Sequence, residues 1–262
     1  MSLIIFKLIS VQRRMHLHSS IRPLDHIWAG TMVAKTGIAS IFITESTKVT
    51  YIHTLDYDLV LSVRDSGVPL TSRVVFIDSM GPFHPDYFLN YGNSDVSAET
   101  YSAIICRGLD KIEKRLEAEV VVAANPRAAH GMMDPWYGGR VVEYGKTAEL
   151  IASATAVIVS SGSTAIGMAV VFRRPLLLLN SNMFDSFVQV RSRAAAQALD
   201  TQLIDLDALE LPPFTLDVNA EAYAQYVQKY VKRQGTPEAP FWSVVASEIV
   251  SGAQSPGTNM VD

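Results

Sequence analysis

Two short stretches carry side chains suited to holding an anion. In "VVAANPRAAHG" (121–131) an apolar run breaks into Asn125, Pro126, Arg127 and His130, and in "VIVSSGST" (157–164) a similar run breaks into four hydroxyls around a glycine. Pro126 fixes the exit from the first run, while Asn125, Arg127 and His130 offer donors to phosphate oxygens. In the second, Gly162 permits a tight turn, and Ser160, Ser161, Ser163 and Thr164 precede an apolar helix-like segment whose first N–H groups and partial positive charge favour an anion, most simply a phosphate. The competing reading is that Ser163 or Thr164 caps that helix, which explains one hydroxyl and leaves the others without a reason. Arg127 reads equally well as a solvated surface charge.

A third stretch, "DSMGPFHPD", puts Asp78, His84 and Asp86 within nine residues. Histidine beside carboxylates suits general acid/base work; the same residues also fit a structural turn or, less well, a metal site, since no further ligand cluster accompanies them. No metal is expected. A fourth, "EYGKT", offers Gly145, Lys146 and Thr147 at the start of a helical pattern, with Thr147 as the expected cap and a nucleotide base or sugar as the expected ligand.

These stretches matter together only if the fold brings them to one place. From residue 73 onward short β-rich runs alternate with helical patterns. "RVVFID" (73–78), "EVVVAA" (119–124), "RVVEYG" (140–145), "AVIVS" (156–160), "PLLLLN" (175–180) and "TQLIDL" (201–206) read as strands, and their continuous apolar character is what burial on both faces requires. Between them, "SDVSAETYSAIICRGLDKIEKRLEA" has Tyr101, Ile104, Ile105, Leu109, Ile112 and Leu116 at helical spacing, with Ser94 or Asp95 as the expected N-cap, and "KTAELIASA", "STAIGMAVVF" and "FDSFVQVRSRAAAQAL" are further helices. Strand and helix in alternation predict an α/β fold: a doubly wound, Rossmann-like parallel sheet over 73–205. In such a sheet ligands bind outside the carboxyl ends of the strands, where strand order reverses, so the five loops after residues 78, 124, 142, 160 and 179 should share one edge and face one cleft.

The remainder is sparser. "IIFKLIS", "SIFIT" and "YDLVLS" read as strands and "HIWAGTMVAKTG" as a weak helix, so 1–72 is expected to be a small or incomplete N-terminal α/β unit. Residues 73–252 are then the Rossmann-like domain, with helices at "NAEAYAQYVQKYVKRQ" and "APFWSVVASEIVSGA", and 253–262 a flexible tail.

With 48% apolar and 18% charged residues in 262, the chain is an ordinary globular one, and its net charge of −4 with no long basic stretch speaks against nucleic-acid binding. The single Cys106, read as a small core residue, excludes a disulfide within the chain and suggests a reducing compartment, hence a cytoplasmic location. "LIIFKLISV", about nine residues long and followed by "QRR", is too short to span a bilayer and lacks a cleavage site, so membrane contact is expected to be peripheral at most, at the inner face.

The run from Asp78 through Pro175, with "DSMGPFHPD", "VVVAANPR" and "YGKTAELIASATAVIVSSGSTAIGMAVVFRRPLLLL", resembles the C-terminal, donor-binding half of GT-B glycosyltransferases of bacterial surface-carbohydrate synthesis, the group that includes polysialyltransferases and glycerophosphotransferases. In that group a His-Pro pair after one strand and a Ser-Ser or Ser-Thr pair after a later one hold the phosphate of a nucleotide-activated donor. The resemblance lays the second motif on Ser160, Ser161, Ser163 and Thr164 and the proline of the first on Pro126; the histidine position is Asn125 here, with His130 five residues on. It makes residues 73–252 a nucleotide-sugar-binding domain and implies a glycosyltransferase that takes a CMP- or UDP-linked nucleotide-sugar donor as substrate, needs no cofactor, and serves a glycan or lipid-linked acceptor of polysaccharide biosynthesis. The part before Ser72 is about half of what an acceptor domain usually needs. A catalytically silent nucleotide-binding or scaffold module, and a sugar-nucleotide epimerase, stay open as alternatives.

Overall fold

The computed structural model describes residues 22–30, 42–84, 96–160 and 163–253. The chain divides into two compact units, residues 55–231 and residues 1–54 with 232–262.

The larger unit is built on a six-stranded, wholly parallel sheet of β3 (Val74–Ile77), β4 (Val120–Ala123), β5 (Val142–Glu143), β6 (Ala156–Val159), β7 (Leu176–Asn180) and β8 (Leu203–Asp205), in the spatial order β5-β4-β3-β6-β7-β8. The expectation of a doubly wound parallel sheet is met. Val74 is in register with Val120 on one side and with Ala156 on the other, so β3 and β6 lie at the sheet's centre. From β3 the chain winds outward through β4 and β5, then returns across the centre to β6, β7 and β8; the order reverses between β3 and β6.

Side chains alternate across a strand, and each central strand here feeds two cores. Val75, Ile77, Val157, Val159 and Leu178 point to one face, against α1 (Tyr57–Arg64), α3 (Thr147–Ser153), α4 (Ala165–Val171) and α5 (Ser186–Leu199). Val74, Phe76, Val122, Ile158 and Leu179 point to the other, against α2 (Ala98–Leu116). That is why these strands are apolar at every position. On α2 the spacing of Ile105, Leu109 and Ile112 puts all three in full burial, each worth about 1.5–3 kcal/mol against exposure. The cap of α2 is Ser97, whose Oγ accepts from Thr100 N at 3.2 Å; the expected caps, Ser94 and Asp95, lie outside the described residues. At the far end of the sheet, Arg140 ties the approach to β5 down to α2, reaching Glu113 at 2.5 Å and also Asp110.

"YDLVLS" is a helix, not a strand. Its buried residues Tyr57, Val60 and Val63 recur every third position, the stripe a helix needs to cover a sheet, while Leu59 stays exposed. The boundary therefore falls after Thr54 and not at 72, because α1 packs into the sheet's core.

In the smaller unit β1 (His26–Ala29) and β2 (Lys48–Tyr51) pair in parallel. "HIWA", expected as a helix start, is thus a strand: His26 and Trp28, two apart, share one face and stack at 4.0 Å. The C-terminal helix Phe241–Ala253 belongs here too, with Phe241 and Val245 on Ile52. His53 is fully buried beside them, its ring nitrogens 2.9 Å from Thr54 O and 2.8 Å from Ala239 O. The region after 231 accordingly groups with the N-terminal residues and not with the sheet domain. "IIFKLIS", most of the 26–37 segment, the start of "SIFIT" and almost all of the 253–262 tail lie outside the described residues.

Candidate functional site

All six strands are parallel, so every loop leaving a strand's carboxyl end emerges at the same edge. There, in the larger unit, lies a cavity of about 340 Å³. Four strand ends line it: Ile77 and Asp78 after β3, Ala124, Asn125 and Pro126 after β4, Gly145 and Thr147 after β5, and Ser163 and Thr164 after β6. The helices α1, α3 and α4 wall it with Leu59, Val63, Ala148 and Met168. The loops after β4 and β6 therefore meet at one cleft through Asn125, Pro126, Ser163 and Thr164, at the point where the strand order reverses.

Asp78 is the organising residue of this edge, at 2% exposure. Its Oδ1 accepts from Met80 N at 2.6 Å and from the Tyr137 hydroxyl at 2.6 Å, and its Oδ2 accepts from Asn125 N at 3.3 Å. Burial pushes the carboxyl above the usual carboxylate range, against the pull of those three bonds and of the nearby His84 charge. The turn it braces is tight: Met80 has φ of 59° and Gly81 of 40°, and a Cβ on Gly81 would lie 2.5 Å from the Tyr101 ring. Only glycine fits there.

The Asn125 loop folds on itself. Asn125 Oδ1 accepts from Arg127 N at 2.9 Å, and its carbonyl accepts from Ala128 N at 2.9 Å. At the β6 loop, Ser163 Oγ accepts from Ala165 N at 3.2 Å and its carbonyl from Ile166 N at 3.2 Å, so Ser163 serves the start of α4; Thr164 makes no capping bond. Thr147 is not a cap either. Lys146 occupies that position without capping through its side chain, which instead reaches Glu143 at 3.0 Å, and the Thr147 hydroxyl lies in the cavity wall. Gly145, at φ of 71° with no atom within 4 Å of a would-be Cβ, leaves the backbone bare at the cavity's side.

The other expected site residues stand apart from the cavity. His84 lies 3.5 Å from Arg127 Nη1, and neither lines it. His130 packs on the Tyr144 ring at 4.7 Å. Ser160 is buried behind the cavity, 3.3 Å from Ser79 Oγ, which is itself 3.3 Å from the Tyr101 hydroxyl. Asp86, Ser161 and Gly162 lie outside the described residues.

Sequence reasoning missed four contributors: Asp56 and Ser62, beside and on α1, Glu149 in the first turn of α3, and Tyr137 behind Asp78. The first two were hidden by the assignment of 57–62 to a strand. For Glu149 the signal was available, an acidic residue two positions after Thr147 at a helix start. Among the described residues the charged side chains lining the cavity are Asp56, Asp78 and Glu149, all acidic; the potential donors in the lining are backbone N–H groups, hydroxyls and the Asn125 amide, and Arg127, His84 and Lys146 are not in it.

Among the described residues no group of three or more His, Cys, Asp or Glu is arranged to hold a metal ion, and no helix is long and apolar enough to cross a membrane. No family model matches the chain and no curated protein matches it. Among solved structures it is similar to the spinosyn forosaminyltransferase SpnP, with a TM-score of 0.32 and 14% identity over 79% of this chain and 46% of that one. The chain thus spans less than half the length of that glycosyltransferase.

Proposed function

We propose that the chain is a glycosyltransferase that moves a sugar from a nucleotide-activated donor, CMP- or UDP-linked, to a surface glycan or lipid-linked acceptor. The observation that carries the reading is the single cavity at the reversal of strand order, lined by donors from the loops after β4, β5 and β6. In it the phosphate meets the amide of Asn125, the hydroxyls of Ser163 and Thr164 and the backbone around them, with Ser161 and Gly162 completing the loop. The bare backbone at Gly145 and the hydroxyl of Thr147 serve the nucleoside. His84, paired with Arg127 and aided by Asp86, takes the proton from the acceptor hydroxyl as the sugar leaves its phosphate.

The test is calorimetric titration with CMP, UDP and CDP, followed by assay of the matching nucleotide sugar for transfer or hydrolysis. Binding with turnover supports the reading; no binding of any of the three at millimolar concentration sinks it. A second reading, a catalytically silent nucleotide-binding module, is favoured by two observations: the charged residues lining the cavity are all acidic among those described, and Asn125 stands where the resembled enzymes carry histidine. Binding without turnover supports that module.

A further inference from the structure

We infer that Tyr137 is a positioning residue of this site, setting the Asn125 loop through Asp78. Tyr137 is not itself in the cavity's lining; it sits behind Asp78 at 1% exposure, with its ring edge-on to Phe76 of β3 at 5.6 Å. Packing therefore fixes the ring, and the ring aims its hydroxyl at Asp78 Oδ1 at 2.6 Å. Burial raises the phenol well above its ordinary range, so the hydroxyl keeps its proton and acts as donor.

What hangs on that bond is a chain of hydrogen bonds running to the cavity. With Oδ1 occupied by Tyr137 and Met80, the carboxylate turns Oδ2 toward the neighbouring strand end, where it accepts from Asn125 N. Asn125 in turn holds the next amides, Arg127 N on its Oδ1 and Ala128 N on its carbonyl. Pro126 between them has no N–H to lend. The hydrogen bonds of this loop thus converge on Asn125, and Asn125 is anchored to β3 by the oxygen that Tyr137 orients. Loss of the phenol leaves Oδ1 held by Met80 N alone and so loosens the carboxylate that anchors Asn125, at little cost to the packing of the ring.

The ligand part of the inference rests on the proposed function; the positioning part is measurable without a ligand. In Tyr137→Phe the ring remains and only the oxygen goes. Amide exchange over residues 124–131 should rise about three- to tenfold, the scale of one hydrogen bond, while exchange in the β3, β6 and β7 strands stays as in the wild type. Asp78→Asn keeps an acceptor at Oδ1 and sets an amide against Asn125 N, and tests the same link independently; it should loosen the same segment, and adding Tyr137→Phe to it should change little more. Affinity for whichever of CMP, UDP or CDP binds should fall by the same three- to tenfold in both single variants. Unchanged exchange over 124–131 in both, or a rise spread evenly over the whole sheet, overturns the inference. If the wild type binds none of the three nucleotides while the local exchange responds as stated, the positioning role stands and the nucleotide reading fails.

Discussion

Ser163 Oγ accepts the backbone N–H of Ala165 at 3.2 Å, so this cavity-lining hydroxyl is already bonded to the start of α4. Thr164 beside it makes no such bond and lines the same cavity. Of the two hydroxyls proposed to meet the phosphate, Ser163 therefore also serves the helix start and Thr164 does not. Ser163→Ala should cost about 1 kcal/mol of unfolding free energy, the usual worth of a cap. Thr164→Val should leave stability within about 0.5 kcal/mol and weaken nucleotide binding by about three- to tenfold. Urea unfolding and calorimetric titration of both proteins separate the roles; an affinity unmoved by either change would remove this loop from the site.

His84 stands 3.5 Å from the Arg127 guanidinium and outside the cavity's lining, so the proposed function assigns it no part in holding the donor. If it takes the acceptor's proton, His84→Ala should lower turnover by about 10²–10⁴-fold while nucleotide affinity changes less than about twofold. Equal losses in kcat and affinity would instead assign the imidazole to shaping the loop.

The parallel sheet was legible because its central strands β3, β4 and β6 are apolar on every residue, a pattern that burial between two helical layers explains, as Val74 and Val75 show by entering opposite cores. The meeting of the Asn125 and Ser163 loops followed from parallel pairing alone. What escaped was local or long-range. "YDLVLS" is six residues of mixed pattern, too short to tell a period of two from one of three, and with it went Asp56 and Ser62. Tyr137 could not be found by spacing: it lies 59 positions from Asp78 and reaches it only because the β4–β5 connection folds back over Phe76. The separation of His84 from the cavity was equally hidden, since sequence distance says nothing of which side of the sheet edge a turn faces.

The buried Asp78 gives stability a pH signature of definite sign. Its folded-state value lies above its ordinary, unfolded one, chiefly through burial. Between the two values the native state binds more protons than the unfolded state, so this group's contribution falls as pH rises through that window and is recovered on acidification. Asp78→Asn has no such group. The difference in unfolding free energy between wild type and Asp78→Asn, followed by urea titration from pH 7 down to pH 4, should move in favour of the wild type as pH falls. A constant difference, or one moving the other way, would mean that the three donors outweigh burial at Asp78.

The acidic lining makes the last prediction, because it opposes the charge of the ligand proposed for it. Glu149, exposed in the first turn of α3, and Asp56 beside α1 both border the cavity, with no cationic side chain among the described lining residues to offset them. An anionic nucleotide seated there feels their field through water, a screened interaction that fades over about 8–10 Å at ordinary ionic strength. Glu149→Gln should therefore tighten binding of CMP about two- to threefold at low salt, with the gain vanishing as salt approaches about 0.5 M. A carboxylate that accepts hydrogen bonds from the ligand's hydroxyls predicts the reverse, a loss of affinity that persists at high salt, since a short bond to a bound diol is poorly screened. Titrating CMP and its 2′,3′-dideoxy analogue into wild type and Glu149→Gln decides between them: if the analogue binds both proteins equally while CMP favours the wild type, Glu149 reads the sugar; if both ligands bind the variant more tightly at low salt only, Glu149 acts as a bare charge.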